Sequence, residues 1–162
     1  MKILYITDSK KYKYHNEIIG DFLSVTGGEV LDLPIDDSRE MKYFDVANAK
    51  ADVIITLDCA GLDFMTVTDT LSLNNLNARM AHIMFHQPSF YGQVLNFRQN
   101  LSMFTYVPAE EDAQRYRRIY EEVPNILNFC EFDYKACNEE EHLSNRANIQ
   151  KWWDSFKKDA ML

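Results

Sequence analysis

The chain has 162 residues, 46% of them hydrophobic, with 25 acidic and 17 basic side chains and a net charge of −8. That is enough for one domain with a substantial core, and too apolar for a disordered or low-complexity chain. The acidic balance disfavours nucleic acid as a partner, and no apolar run approaches the roughly 18 residues of a membrane span, so the expectation is a cytoplasmic protein with no membrane association.

Lys2 to Thr7 predicts a first strand, which ends at Asp8 and Ser9. His15, Ile18, Ile19, Phe22 and Leu23 then form one helical stripe, closed by Gly27 and Gly28 as a stop. Glu29 to Leu33 is a second strand. Ser38 is placed to cap a helix carrying Met41, Phe44 and Ala47. Asp52 to Leu57 is a third strand, a continuous β-branched run of the kind buried on both faces of a parallel sheet. A helix is expected within Thr68 to Asn77, then a strand from Met80 to Phe85 and a helix marked by Phe90, Val94, Phe97 and Leu101. Ser102 to Tyr106 is a fifth strand. Ala113, Tyr116, Tyr120 and Val123 mark a further helix after Pro108, and Ile126 to Phe129 a sixth strand. The segment from Glu139 to about Ala160 carries Ile149, Trp153 and Phe156 on one side. Adjacent tryptophans at 152 and 153 cannot point the same way, so one is expected to be partly exposed, leaving room for a homodimer or another protein partner.

This alternation predicts an α/β fold: one doubly wound, Rossmann-like or flavodoxin-like, three-layer domain over residues 1–162, with a mainly parallel sheet of five to six strands. In such sheets ligands bind beyond the carboxyl ends of the strands. The richest polar cluster at such a point follows Leu57, where Asp58, Asp63, Thr66, Thr68 and Asp69 crowd together. With Asp8, Asn75, His86 and Gln87 they form the candidate ligand-binding set. Carboxylates accept hydrogen bonds from ligand hydroxyls, and Asn75, Gln87 or the His86 imidazole can donate back, which suits a small hydroxyl-rich molecule. Asp58 with His86 would also permit general-base chemistry. The same acids can serve as turn and cap residues, and Asp8 in particular can cap the turn after its strand.

No cofactor is expected. The turn after the first strand reads TDSKKYKYH, without GxGxxG or GxxxxGK[ST], and no GxSxG elbow is present. No metal site is assigned either: the three cysteines, Cys59, Cys130 and Cys137, include no CxxC pair. Arg115, Arg117 and Arg118 lie among acids and are expected to form solvated helical pairs.

The segments KILYITDS, ITLDCAGLDF and HIMFHQPSF resemble the amino-terminal half of GT-B-type glycosyltransferases. That resemblance implies a Rossmann-like domain whose strand ends face a sugar acceptor, without the second domain that makes most nucleotide-sugar contacts. The stretch DVIITLDCAGLD is also similar to response-regulator receiver domains, which would put the phosphoacceptor at Asp58 and a metal-binding acid near Asp8. Where receivers carry an acidic pair this chain has Asp8 followed by Ser9, and where they carry a Lys it reads Tyr106-Val107-Pro108-Ala109. The expected function is binding of a polar small ligand or sugar acceptor at the strand ends, as a standalone glycosyltransferase-like half. The alternative is a non-catalytic interaction or regulatory module of degenerate receiver type. Whether the chain catalyses a reaction stays open at this level.

Overall fold

The computed structural model describes residues 1–34, 45–58, 60–61, 76–85, 103–107, 110–119, 126–128 and 131–162. Six strands run in chain order: β1 (Ile3–Thr7), β2 (Glu29–Asp32), β3 (Val53–Leu57), β4 (Arg79–Ile83), β5 (Met103–Val107) and β6 (Ile126–Asn128). All pair in parallel, in the spatial order β2-β1-β3-β4-β5-β6. Among the described residues four helical segments accompany them: α1 (His15–Thr26), α2 (helical over residues 45–49), α3 (Glu110–Ile119) and α4 (Glu139–Asp159). This is the doubly wound α/β architecture. Strand order reverses between β1 and β3, the switch point at whose carboxyl ends sheets of this kind bind their ligands.

Alternate residues of each central strand feed two separate cores. Leu4, Ile6, Ile54 and Met80 face Val46 of α2 and Ala113 and Tyr116 of α3. Ile3, Tyr5, Val53, Ile55 and Ala81 face Ile18 and Phe22 of α1 and the aromatic stripe of α4. Both faces of β3 are therefore covered, which is why its sequence shows no polar alternation. At the far edge, β2 leaves Glu29 and Val30 exposed.

Helix α1 ends where Gly27 takes a φ of 71°. Gly28 follows with φ 119°, and a Cβ there would sit 2.9 Å from the Ile3 carbonyl oxygen, so only glycine lets β2 enter beside β1. Helix α4 starts at Asn138, whose side chain accepts the Glu141 N–H at 3.0 Å, while Glu141 accepts the Cys137 N–H at 2.8 Å.

The structure corrects the expected exposure of a tryptophan. Trp152 and Trp153 are only 4% and 5% exposed. They project about 100° apart, yet α4 packs against both α1 and the sheet, so both sides of its stripe are covered. Trp152 meets Phe22 and Tyr106 edge-on, with centroids 6.0 and 5.6 Å apart. Trp153 stacks on Phe156 at 5.6 Å and carries the Lys157 ammonium at 5.8 Å from its centroid. Neither tryptophan is therefore an exposed surface residue of this helix. Arg117 also differs in part from a solvated pair: it reaches Glu110 at 3.3 Å but donates from Nε to the Ile126 carbonyl at 2.7 Å, fixing α3 to β6. No helix among the described residues is long and apolar enough to cross a membrane.

Candidate functional site

The loop from β1 to α1 folds tightly without glycine. Asp8 Oδ1 accepts the Lys11 N–H at 2.9 Å, and the Asp8 carbonyl accepts the Tyr12 N–H at 2.9 Å. This is the capping use of Asp8 that its strand-end position allows. The Asp8 N–H donates to Nδ1 of His15 at 3.1 Å. Because Nδ1 accepts, the proton of the neutral ring sits on Nε2, which lies 3.1 Å from Asp58 Oδ2 and donates to it.

Asp58 closes β3 with a φ of 45°, in the left-handed region that Asp tolerates better than most residues. Its carboxylate is buried at 1% exposure. Oδ2 accepts from His15 Nε2 and from the Tyr14 hydroxyl, and Oδ1 accepts the Phe85 N–H at 2.8 Å. Burial, then the Asp58 charge beside it, pushes the Tyr14 phenol far above its ordinary value of 10.0. Tyr14 is thus a fixed donor and unsuited to act as a base. The switch-point crevice between β1 and β3 is filled by an imidazole and a phenol, and Asp8 and Asp58 meet there through His15.

Above that filling lies a cavity of about 660 Å³, lined by Lys11, Tyr12, Lys13 and Tyr14 of the β1–α1 loop, by Glu17 in the first turn of α1 and by Tyr134 and Lys135 from the loop after β6. The Tyr14 ring lies 6.0 Å from Tyr12 and 5.3 Å from Tyr134, so three tyrosines form one floor. The Lys11 ammonium sits 5.1 Å from the Tyr12 centroid and that of Lys135 5.6 Å from the Tyr134 centroid. The Tyr134 loop is held from behind. Buried Asn145 accepts the Asp133 N–H at 2.9 Å and donates to its carbonyl at 2.8 Å, and Phe132 packs on Phe22 and Phe85 at 5.5 and 5.2 Å.

A smaller cavity of about 330 Å³ lies at the opposite, amino end of β3 and β4, beside Val46, Lys50, Asp52 and Leu76. The general rule for parallel sheets places ligands at the carboxyl end, and the larger cavity is the one there. Among the described residues no three His, Cys, Asp or Glu side chains converge as metal ligands. Cys137 is exposed, but its hydrogen bond and charge contact with Glu141 push the thiol up, away from the reactive thiolate.

Of the residues singled out from sequence, Asp8 and Asp58 come together beneath this cavity. Asp63, Asp69, Asn75, His86 and Gln87 lie outside the described residues. The imidazole found on Asp58 is His15, which the helical stripe had marked as core. Asp32, at the carboxyl end of β2, was also missed: it accepts from the Thr7 hydroxyl at 2.9 Å, the Ser9 N–H at 2.8 Å and the Ser9 hydroxyl. An acid ending the strand beside β1 was the available signal for it. No protein family, curated protein or solved structure matches this chain.

Proposed function

We propose that this protein binds a polar small molecule at the carboxyl end of its sheet, in the manner of the acceptor-side half of a GT-B-type glycosyltransferase. The observation that supports the reading is the 660 Å³ cavity built by the β1–α1 loop and the 131–137 loop. Asp58 serves this seat from below, by orienting Tyr14, whose ring joins Tyr12 to Tyr134. A saturation-transfer NMR screen of sugars and sugar nucleotides is expected to find binders whose signals vanish with Tyr134→Ala. They should persist with Val30→Thr, on the distant exposed edge of β2. Binders indifferent to Tyr134 would move the seat elsewhere.

The second reading, a non-catalytic regulatory module, is favoured by the burial of Asp58. A receiver-type phosphoacceptor needs an accessible carboxylate oxygen, and here both oxygens already accept internal donors. Intact mass is expected to stay unchanged after incubation with acetyl phosphate and Mg²⁺. A gain of one phosphoryl group on Asp58 would revive receiver chemistry.

A further inference from the structure

We propose that the tyrosine-floored cavity takes a small aromatic phosphate monoester, a flat ring carrying one dianionic group. This rests on the reading of the cavity as the ligand seat and goes beyond it in naming the ligand's chemistry.

The first argument is charge. The protein is strongly acidic, yet this cavity carries three lysines against one glutamate. A phosphate monoester brings about −1.5 to −2 at neutral pH, close to the excess of positive side chains around the cavity. A polyphosphate would bring more charge than Lys11, Lys13 and Lys135 balance, and it would meet Glu17.

The second argument is the kind of hydrogen bond on offer. Ammonium groups only donate, and the Tyr14 hydroxyl is committed to Asp58. The Tyr12 and Tyr134 hydroxyls donate as well as accept, so donors outnumber acceptors among the lining side chains and the site favours an acceptor-rich ligand. A neutral sugar needs donors and acceptors in alternation, and Glu17 is the one carboxylate among the lining residues.

The third argument is the floor. Because Tyr14 points its hydroxyl down, it meets a ligand through its ring, between Tyr12 and Tyr134. Ring faces and edges favour a flat apolar body over a puckered hydroxylated one. Lys11 and Lys135 stand over the outer two rings, so an anionic group on a ring seated between them has an ammonium on each side. A nucleic-acid strand is disfavoured as the occupant, because beyond the cavity its phosphates run onto an acidic protein.

The experiment titrates phenyl phosphate, inorganic phosphate, phenyl β-glucoside and a thymidine oligonucleotide into the full chain, followed by amide NMR shifts and calorimetry. Phenyl phosphate should bind about tenfold more tightly than either inorganic phosphate or the glucoside, at the residues around Tyr14 and Tyr134. Lys11→Gln combined with Lys135→Gln should weaken phenyl phosphate by about tenfold and leave the glucoside unaffected. Both lysines sit at the cavity, away from the two cores, so the double variant keeps the fold, as its unshifted core amides would verify. Tighter binding of the glucoside, indifferent to the lysines, would overturn the anion assignment while keeping the seat. Equal binding of inorganic and phenyl phosphate would remove the ring from the proposal, and tighter binding of the oligonucleotide would replace the small molecule by a polymer. Absence of every probe from the cavity would overturn both the inference and the seat.

Discussion

Two buried carboxylates anchor helix α1, one at its entry and one on the helix itself, and different donors hold them. Among the described residues, Asp58, 1% exposed, accepts from a phenol, an imidazole N–H and a backbone amide, all neutral groups. Asp21, 2% exposed on α1 itself, accepts from Arg146 Nε at 2.9 Å, His142 Nδ1 at 2.8 Å and Asn145 Nδ2 at 3.5 Å, all from α4. Asp21 is a clamp between two helices, and two of its partners keep a path to water: the Arg146 side chain is 36% exposed and that of His142 24%. Two of the donors on Asp58 have no such path, because His15 is fully buried and Phe85 donates from the backbone, while the third, Tyr14, is half-buried beneath the cavity. The contrast identifies Asp21 as a helix-packing device and Asp58 as the organiser of the carboxyl end.

The sharpest way to break this comparison is to delete Asp58. Asp58→Ala leaves the buried His15 and Phe85 N–H groups and the half-buried Tyr14 hydroxyl without this acceptor, and unpaired buried donors cost about 1–3 kcal/mol each, so a loss of about 4 kcal/mol is expected in urea unfolding. The β1–α1 loop and Tyr14 should lose hydrogen-exchange protection together. A cost under about 1 kcal/mol would mean that the three bonds are replaced on mutation and that Asp58 does not organise the crevice.

Asp21→Ala is expected to cost less, about 2 kcal/mol, because Arg146 and His142 can turn to solvent once their acceptor is gone. The loss should appear as weaker protection at the amino end of α4 and leave the Tyr14 region unchanged. An effect on both regions would show that the two carboxylates belong to one network through Asn145, which also pins the Tyr134 loop.

The sheet was legible because burial on both faces writes itself into sequence as uninterrupted apolar runs. Val53 to Leu57 is the clearest instance, and the expected strands agree with the observed ones to within about two residues, the uncertainty that fraying gives any such boundary. Helix α1 was legible from its stripe and from Gly27. The site was legible only in outline. Asp58 stood out, but its partners did not, because His15 occupies a stripe position where helical periodicity reads core. It is core, and it also donates to Asp58. Tyr134 lies 120 residues from Tyr14, and nothing local announces that the loop after β6 crosses back over the sheet. The Lys and Tyr alternation in KKYKYH matches no glycine-rich phosphate loop, and nothing local shows that these side chains line a cavity with Tyr134 and Lys135. The Asp21–Arg146 pair spans 125 residues and is beyond local pattern reading altogether.

The smallest expected effect tests the neutral character of the Asp58 shell through one of its donors. Tyr14→Phe removes one hydrogen bond and leaves His15 on the same oxygen, so the expected cost near neutral pH is about 1 kcal/mol. The phenol of Tyr14 is raised far above its ordinary 10.0 in the folded chain, chiefly by burial and then by Asp58. A group raised on folding contributes stability that is fully present below the unfolded value and is lost as pH climbs past it, because the unfolded chain releases a proton that the folded chain keeps. The advantage of Tyr over Phe at position 14 should therefore hold up to about pH 10 and shrink above it, by at most about 1.4 kcal/mol per pH unit and by less where solvent screens the half-buried ring. Tyr5 and Tyr106 are also raised by burial, but they are common to both proteins and cancel in the difference. Urea titrations of the two proteins between about pH 7 and pH 11 give that difference directly. A gap that stays constant across the range would mean that Tyr14 ionises as it does in the unfolded chain, and the shell around Asp58 would then be open to water.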